Sequence, residues 1–275
     1  MLQVMELSVF NKGTSKMIIL IYLIIILIAT ISGAISGLGG GVIIKPLFDM
    51  IGYHNAATIG FYSSVAVFTM SIVSIIKQLR SGFNFHLKTV LWISIGSLVG
   101  GVCGEHIFIT VASYFPNNVV KVIQAALLAI TLICILIYSF NKHKIMHFNL
   151  KNFIYIFLVG YFLGAISVFL GIGGGPLNVA LLMLFFSYTI KEAAIYSIAT
   201  IFFSQISKLG SVIVLNQLFE YNLTLVPFIC ISAIIGGFIG TMISQRLEDR
   251  KIEKFYIFLI ALLLFISAYN VITNL

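Results

Sequence analysis

The five-residue word Gly-x-Gly-Gly-Gly occurs twice, at 37–41 and 171–175, each time at the end of a long apolar segment. Consecutive glycines cost helix stability, about 1 kcal/mol each relative to alanine, and they free the backbone to turn. Inside a bilayer, a broken helix leaves backbone N–H and C=O groups that only protein, water or a ligand can satisfy. A chain that breaks its apolar helices twice at matching places is therefore constrained to build something around those breaks.

The segments are membrane segments. Of 275 residues, 60% are hydrophobic and 9% charged, with a mean hydropathy of +1.14, which no soluble domain sustains. Eight apolar stretches, 17–37, 56–76, 89–109, 119–140, 152–171, 193–215, 223–243 and 255–272, are each long enough to cross a hydrocarbon core about 30 Å thick. The expected fold class is thus an all-α polytopic membrane protein with about eight transmembrane helices. The formal charge of +8 lies mostly in the short connections, where it reads as a topology signal and not as a nucleic-acid surface. The first apolar segment is longer than a signal-peptide core and reads as an uncleaved helix. Cys103, Cys134 and Cys230 fall within expected spans and read as small packing residues.

Sliding the sequence on itself by 134 positions brings more than glycines into register. Tyr62-Ser63 falls on Tyr196-Ser197, Phe68 on Phe202 and Ile72 on Ile206. At an offset of 136, Gly100-Gly101-x-x-Gly104 falls on Gly236-Gly237-x-x-Gly240. The chain reads as a tail (1–16), a four-span repeat (17–141), a basic linker (142–151) and a second four-span repeat (152–275). Between the first two spans of each repeat lies an extra apolar piece, 42–51 and 176–186. Ten or eleven helical residues reach about half way across a bilayer, so each is expected to be a re-entrant or half helix, with an interfacial helix as the other reading. Basic clusters precede span 1 (Lys12, Lys16) and follow span 2 (Lys77, Arg80, Lys88), span 4 (Lys142, Lys144, Lys151) and span 7 (Arg246, Arg250, Lys251, Lys254). The first three fit a cytoplasmic N-terminus; the fourth conflicts with it.

Pro176 directly follows the second glycine word, and proline favours the first position of a helix. A glycine-lined helix N-terminus at mid-membrane is an anion site, because its free N–H groups and its dipole both favour negative charge. The candidate binding residues are therefore Gly39, Gly40, Gly41, Gly173, Gly174 and Gly175. Beside them stand Lys45, as countercharge or as a snorkelling residue, Asn178 as a donor, and the matched hydroxyls Tyr62, Ser63, Tyr196 and Ser197. Close helix packing is the competing role for the glycines. Ser204, Gln205 and Lys208 on one span, and Glu105 with His106 on another, are ionisable or polar groups near span ends, open to a functional or a solvated role. No P-loop, dinucleotide fingerprint, metalloprotease motif, nucleophile elbow or cysteine-histidine metal spacing is present, so neither an enzyme nor a cofactor is expected.

The stretches GAISGLGGGVIIKP (33–46), GAISVFLGIGGGPLN (164–178) and EAAIYS (192–197) resemble the paired signatures of the TauE/SafE sulfite-exporter family of membrane permeases, over about residues 17–272. The first signature is the looser one, with Lys45 and Asp49 in an otherwise apolar run. The resemblance implies a cytoplasmic-membrane carrier of two homologous halves that moves a small anion such as sulfite, a sulfonate or a related organic anion. Its partners would be that anion, the lipid bilayer and a coupling ion such as a proton. A channel-like passive permease and a membrane assembly partner without a substrate are the alternatives.

Overall fold

The computed structural model describes residues 12–83, 86–142, 148–150, 152–172 and 175–274. Among the described residues, ten α-helices follow one another: α1 (Lys12–Ser36), α2 (Gly41–Ile51), α3 (Ala56–Arg80), α4 (Leu87–Tyr114), α5 (Asn117–Asn141), α6 (Phe153–Phe169), α7 (Pro176–Phe186), α8 (Ile190–Val214), α9 (Val226–Arg246) and α10 (Asp249–Asn274). Two short 3-10 turns join α8 to α9, and no β-strand occurs among the described residues. Seven helices (α1, α3, α4, α5, α8, α9 and α10) are long and apolar enough to cross a membrane. The remaining expected span, 152–171, forms the shorter α6. Gly171, at φ 65°, belongs to the turn that ends α6, which spans 17 residues. At 1.5 Å per residue, that helix is only about 25 Å long.

The short helices α2 and α7 are packed inside the molecule. Eight of the eleven residues of α2 and seven of α7 are buried. α2 doubles back along α1: Gly40 lies against Ala29 and Thr30, and Phe48 stacks on Tyr22 with ring centroids 3.8 Å apart. α7 returns to the start of α6, where Phe148 and Leu150 donate backbone hydrogen bonds to the Leu184 and Phe185 carbonyls. An interfacial position is thereby ruled out for both.

The contacts fix the helix directions. Along α9, Gly236 and Gly240 meet Leu27 and Ile31 of α1, while Gly237 and Thr241 meet Met70 and Ser74 of α3, so these three helices run parallel. Gly96, Gly100 and Gly104 of α4 meet Phe157, Tyr161 and Ala165 of α6, and Ser97 and Leu98 of α4 bond Thr200 and Ser207 of α8, so these three also run together. The two sets are antiparallel, since Gly60 and Phe68 of α3 meet Lys208 and Phe202 of α8. Glycine lets these backbones approach closely in a medium that offers no hydrophobic drive for helix association. For Gly100, Gly104, Gly236 and Gly240 the packing role is the one observed.

With these directions, α2 and α7 point towards opposite faces. One face carries the α2–α3 turn, the α4–α5 turn and the α8–α9 connection, none of which contains Lys or Arg. The other gathers Lys77, Arg80, Lys142, Lys191, Arg246, Arg250, Lys251 and Lys254, linked by Lys191 to the Gln245 and Leu247 carbonyls and by Lys142 to Glu253. The basic connections after α3, α5 and α9 lie on one face once each short helix turns back, so the fourth cluster no longer conflicts with the second and third, and the start of α1 with Lys12 and Lys16 lies on the opposite face. All three cysteines are free.

Candidate functional site

The two glycine turns meet. Gly37, Gly39 and Gly40 adopt φ of 76°, 78° and 64°, and Gly175 adopts 107°, conformations that side-chain-bearing residues rarely take. Gly41 is pressed on the Ile172 carbonyl, so that a Cβ there would lie 2.6 Å from the carbonyl carbon and 2.9 Å from Ser63 Oγ. Reciprocally, a Cβ on Gly175 would lie 3.1 Å from the Leu38 oxygen. The N-termini of α2 and α7 therefore face each other in the interior; in the first turn of α2 the Gly41 N–H donates to the Gly39 carbonyl at 2.6 Å and the Ile43 N–H to the Gly40 carbonyl at 2.9 Å, and in α7 the Asn178 N–H donates to the Gly175 carbonyl at 3.0 Å. Gly173 and Gly174 lie outside the described residues.

The matched hydroxyls occupy matched places. Tyr62 Oη donates to the Asn222 carbonyl at 3.1 Å, and Tyr196 Oη accepts from the His86 N–H at 2.6 Å, each tying the helix after a glycine turn to a distant connection. Ser197 Oγ donates to the Gly37 carbonyl at 2.7 Å. Ser63, its counterpart, is fully buried and its Oγ has no hydrogen-bond partner. Asn178, 1% exposed on the first turn of α7, has an Nδ2 likewise without a partner. A buried unpaired donor costs about 1–3 kcal/mol. One of them lies on α3 beside Gly41 and the other on the first turn of α7, so both border the crossing.

Lys45 does not snorkel. It is 4% exposed, with its ammonium 3.3 Å from Asp49, which a second lysine, Lys121 of α5, approaches at 3.5 Å. Lys121 also donates to the His54 carbonyl at 3.0 Å. Lys208, 3% exposed, pairs with Glu105 at 3.4 Å and stands over the Phe108 ring. The solvated reading of Glu105 and Lys208 is thus overturned, whereas His106 is exposed. Gln205 is buried with its Nε2 on Ser204 Oγ. Sequence reasoning passed over Lys121, although a lysine inside an apolar span was a signal that could have found it.

Cavities flank the crossing. One of about 280 Å³ opens on the face that lacks basic connections, lined among others by Tyr22, Tyr53, His54, Tyr62, Glu220 and Asn222. Tyr62 and Asn222, which line it, are joined by their hydrogen bond, one residue from Ser63. Beneath α7, a pocket edged by Ala180, Met183 and Tyr256 holds only about 10 Å³, about a single water. Glu105 and His106 border a groove of about 550 Å³ between α4 and α8. Among the described residues, no cluster of His, Cys, Asp or Glu suits a metal ion.

Known proteins match this sequence over most of its length. The family profile described as sulfite exporter TauE/SafE matches residues 22–269. A probable membrane transporter protein of Methanocaldococcus jannaschii is 28% identical over 261 residues, covering 86% of this chain and 91% of that protein. A profile match that spans the bundle from α1 to α10 places the chain: it belongs to the TauE/SafE family of membrane transporters.

Proposed function

We propose that the protein is a secondary carrier of a small anion across the cytoplasmic membrane, and that the crossing of α2 and α7 is its binding site. The observation that carries this reading is the pair of buried, unpartnered donors, Ser63 Oγ and Asn178 Nδ2, beside two converging helix N-termini. The backbone of Gly39–Gly41 and Gly173–Gly175 supplies amide donors, and the helix dipoles add positive potential. Lys45 supplies a cation one helical turn away. Sulfite, a sulfonate or a related organic anion fits such a donor set, in keeping with the family's name.

The contact pattern supports two inverted four-span halves. Exchanging α1–α5 for α6–α10 carries each principal packing pair onto another: α4 with α6 onto α9 with α1, and α4 with α8 onto α9 with α3. In such a design one half rocks against the other around a fixed site. Tyr62 and Tyr196, each bound to the opposite half, are the latches of the two faces. The face rich in Lys and Arg is the cytoplasmic one, which puts both ends of the described chain outside. With no nucleotide motif in the sequence, the energy comes from an ion or solute gradient.

The close contact of Gly41 with the Ile172 carbonyl at the crossing favours a carrier over a passive pore. The test is uptake and counterflow of labelled sulfite, methanesulfonate, sulfoacetate and acetate in proteoliposomes. Saturable exchange that Asn178→Val reduces supports the carrier. Non-saturating flux returns the passive permease, and no flux of any of these anions leaves the assembly-partner reading.

A further inference from the structure

Among the described residues, five lysine, aspartate or glutamate side chains are buried: Lys45, Asp49, Glu105, Lys121 and Lys208, between 3% and 8% exposed. All five lie on the same side of the crossing, between it and the face without basic connections. At the offsets that align the two halves, the counterparts of four of them are neutral: Val179 and Met183 for Lys45 and Asp49, Ser74 for Lys208, Thr241 for Glu105. The comparison is direct for one contact. The Lys208–Glu105 ion pair, 3.4 Å, occupies the place that a Thr241–Ser74 hydrogen bond, 2.9 Å, fills in the other half. Identical helix packing is thus achieved without charge. Burying ions costs several kcal/mol each before pairing returns any of it, and membrane interiors raise that cost. The charges are there for something other than holding α4 against α8.

They converge on the crossing. The Lys45 Cδ lies 3.4 Å, and the Gly60 Cα 3.6 Å, from where a Cβ on Gly171 would sit; the Lys208 ammonium lies 3.2 Å from the corresponding point on Gly60. Two lysines therefore approach the second glycine turn from α2 and α8. Each is held by a carboxylate, and Lys121 shares one of them. Around Glu105 the other facing titratable group is Tyr221, whose phenol is pushed up to about 12, first by burial and then by the Glu105 charge. The helix α6, packed along α4, contains no Asp, Glu, Lys, Arg or His. Three cations and two carboxylates leave the buried cluster with a formal charge of +1.

We infer that this cluster selects the valence of the bound ion: Lys45 and Lys208 supply the countercharge, the carboxylates of Asp49 and Glu105 trim it to one unit, and a monovalent anion is taken in preference to a divalent one. A monoanion at the crossing brings the buried charge to zero, whereas a dianion leaves an unpaired negative charge in a medium of low dielectric. The inference rests on the crossing being the anion site.

Proteoliposome uptake at pH 7.5 of monovalent methanesulfonate and acetate, against divalent sulfate and malonate, tests it. Wild-type protein prefers the monovalent pair. Glu105→Gln and, independently, Asp49→Asn raise the cluster to +2 and shift the kcat/KM ratio towards the dianions by about ten-fold or more. The double variant Lys208→Gln/Glu105→Gln restores +1, and the ratio returns to within about three-fold of wild type. Size-exclusion profiles in detergent check that each variant is folded, and two single variants at separate positions guard against the loss of either. A wild-type preference for dianions, or a ratio that neither single variant moves, overturns the valence inference and leaves the carrier standing. Should none of the four anions move, the anion-carrier reading falls and the inference with it.

Discussion

Replacing Gly41 with alanine isolates what the crossing does. Gly41 opens α2 without a left-handed φ, so alanine is conformationally welcome there and gains about 1 kcal/mol of helix propensity. Its only penalty is steric. The new methyl would lie 2.6 Å from the Ile172 carbonyl carbon, where 3.4 Å begins ordinary contact, so the two N-termini must separate by roughly 1 Å. Strain of that kind costs about 1–3 kcal/mol, which the propensity gain partly offsets, and the thermal midpoint in detergent shifts by only a few degrees. Binding suffers more. A hydrogen bond to a charged ligand contributes about 1.5–3 kcal/mol, and a donor set pulled apart by 1 Å forfeits at least one, a loss of about ten-fold or more in transport efficiency. Gly210→Ala on α8 is the control: nothing lies within 4 Å of its would-be Cβ, and transport is expected unchanged. Proteoliposome uptake at limiting concentration gives the comparison. Wild-type uptake by Gly41→Ala, with the protein folded, would refute the reasoning.

Further consequences follow from the latches and the vestibule. Tyr62→Phe and Tyr196→Phe each remove one hydrogen bond that ties a helix to the opposite half. Each is expected to cost about 1 kcal/mol in thermal unfolding and to raise cysteine-label access to the crossing from its own face only. The His54 imidazole, in the α2–α3 turn, is held below its ordinary pKa of 6.5 first by burial and then by Lys121. The unfolded chain therefore binds the proton more readily, so stability present at neutral pH is lost as pH falls below about 6.5, and His54→Gln flattens that part of a melting-temperature profile. Lys121→Met leaves Asp49 with Lys45 alone, whereas Asp49→Leu strands two buried lysines; the second is expected to lose about 3–5 kcal/mol and the first clearly less, by denaturant-monitored unfolding.

The breaks at Gly37–Gly41 and at Pro176 were legible because they are local: glycine runs and a proline at the first helical position act through their own backbone. The direction in which α2 turns was not. It depends on Phe48 finding Tyr22, 26 positions earlier, and without that contact the basic connections seemed to contradict one another. Tyr62 and Tyr196 were found by repetition, but their partners Asn222 and His86 are 160 and 110 positions away and carry no sequence mark. Lys208 and Glu105 looked like span-end residues for the same reason: pairing across 103 positions is a tertiary fact, and only burial distinguishes it from snorkelling.

The central claim is that an anion sits between the N-termini of α2 and α7, and anomalous diffraction from crystals soaked in bromide, a monovalent anion, addresses it directly. The account predicts a peak within hydrogen-bond reach of Ser63 Oγ and Asn178 Nδ2, absent in Gly41→Ala. An empty crossing, under bromide concentrations that saturate inhibition of transport, would contradict it.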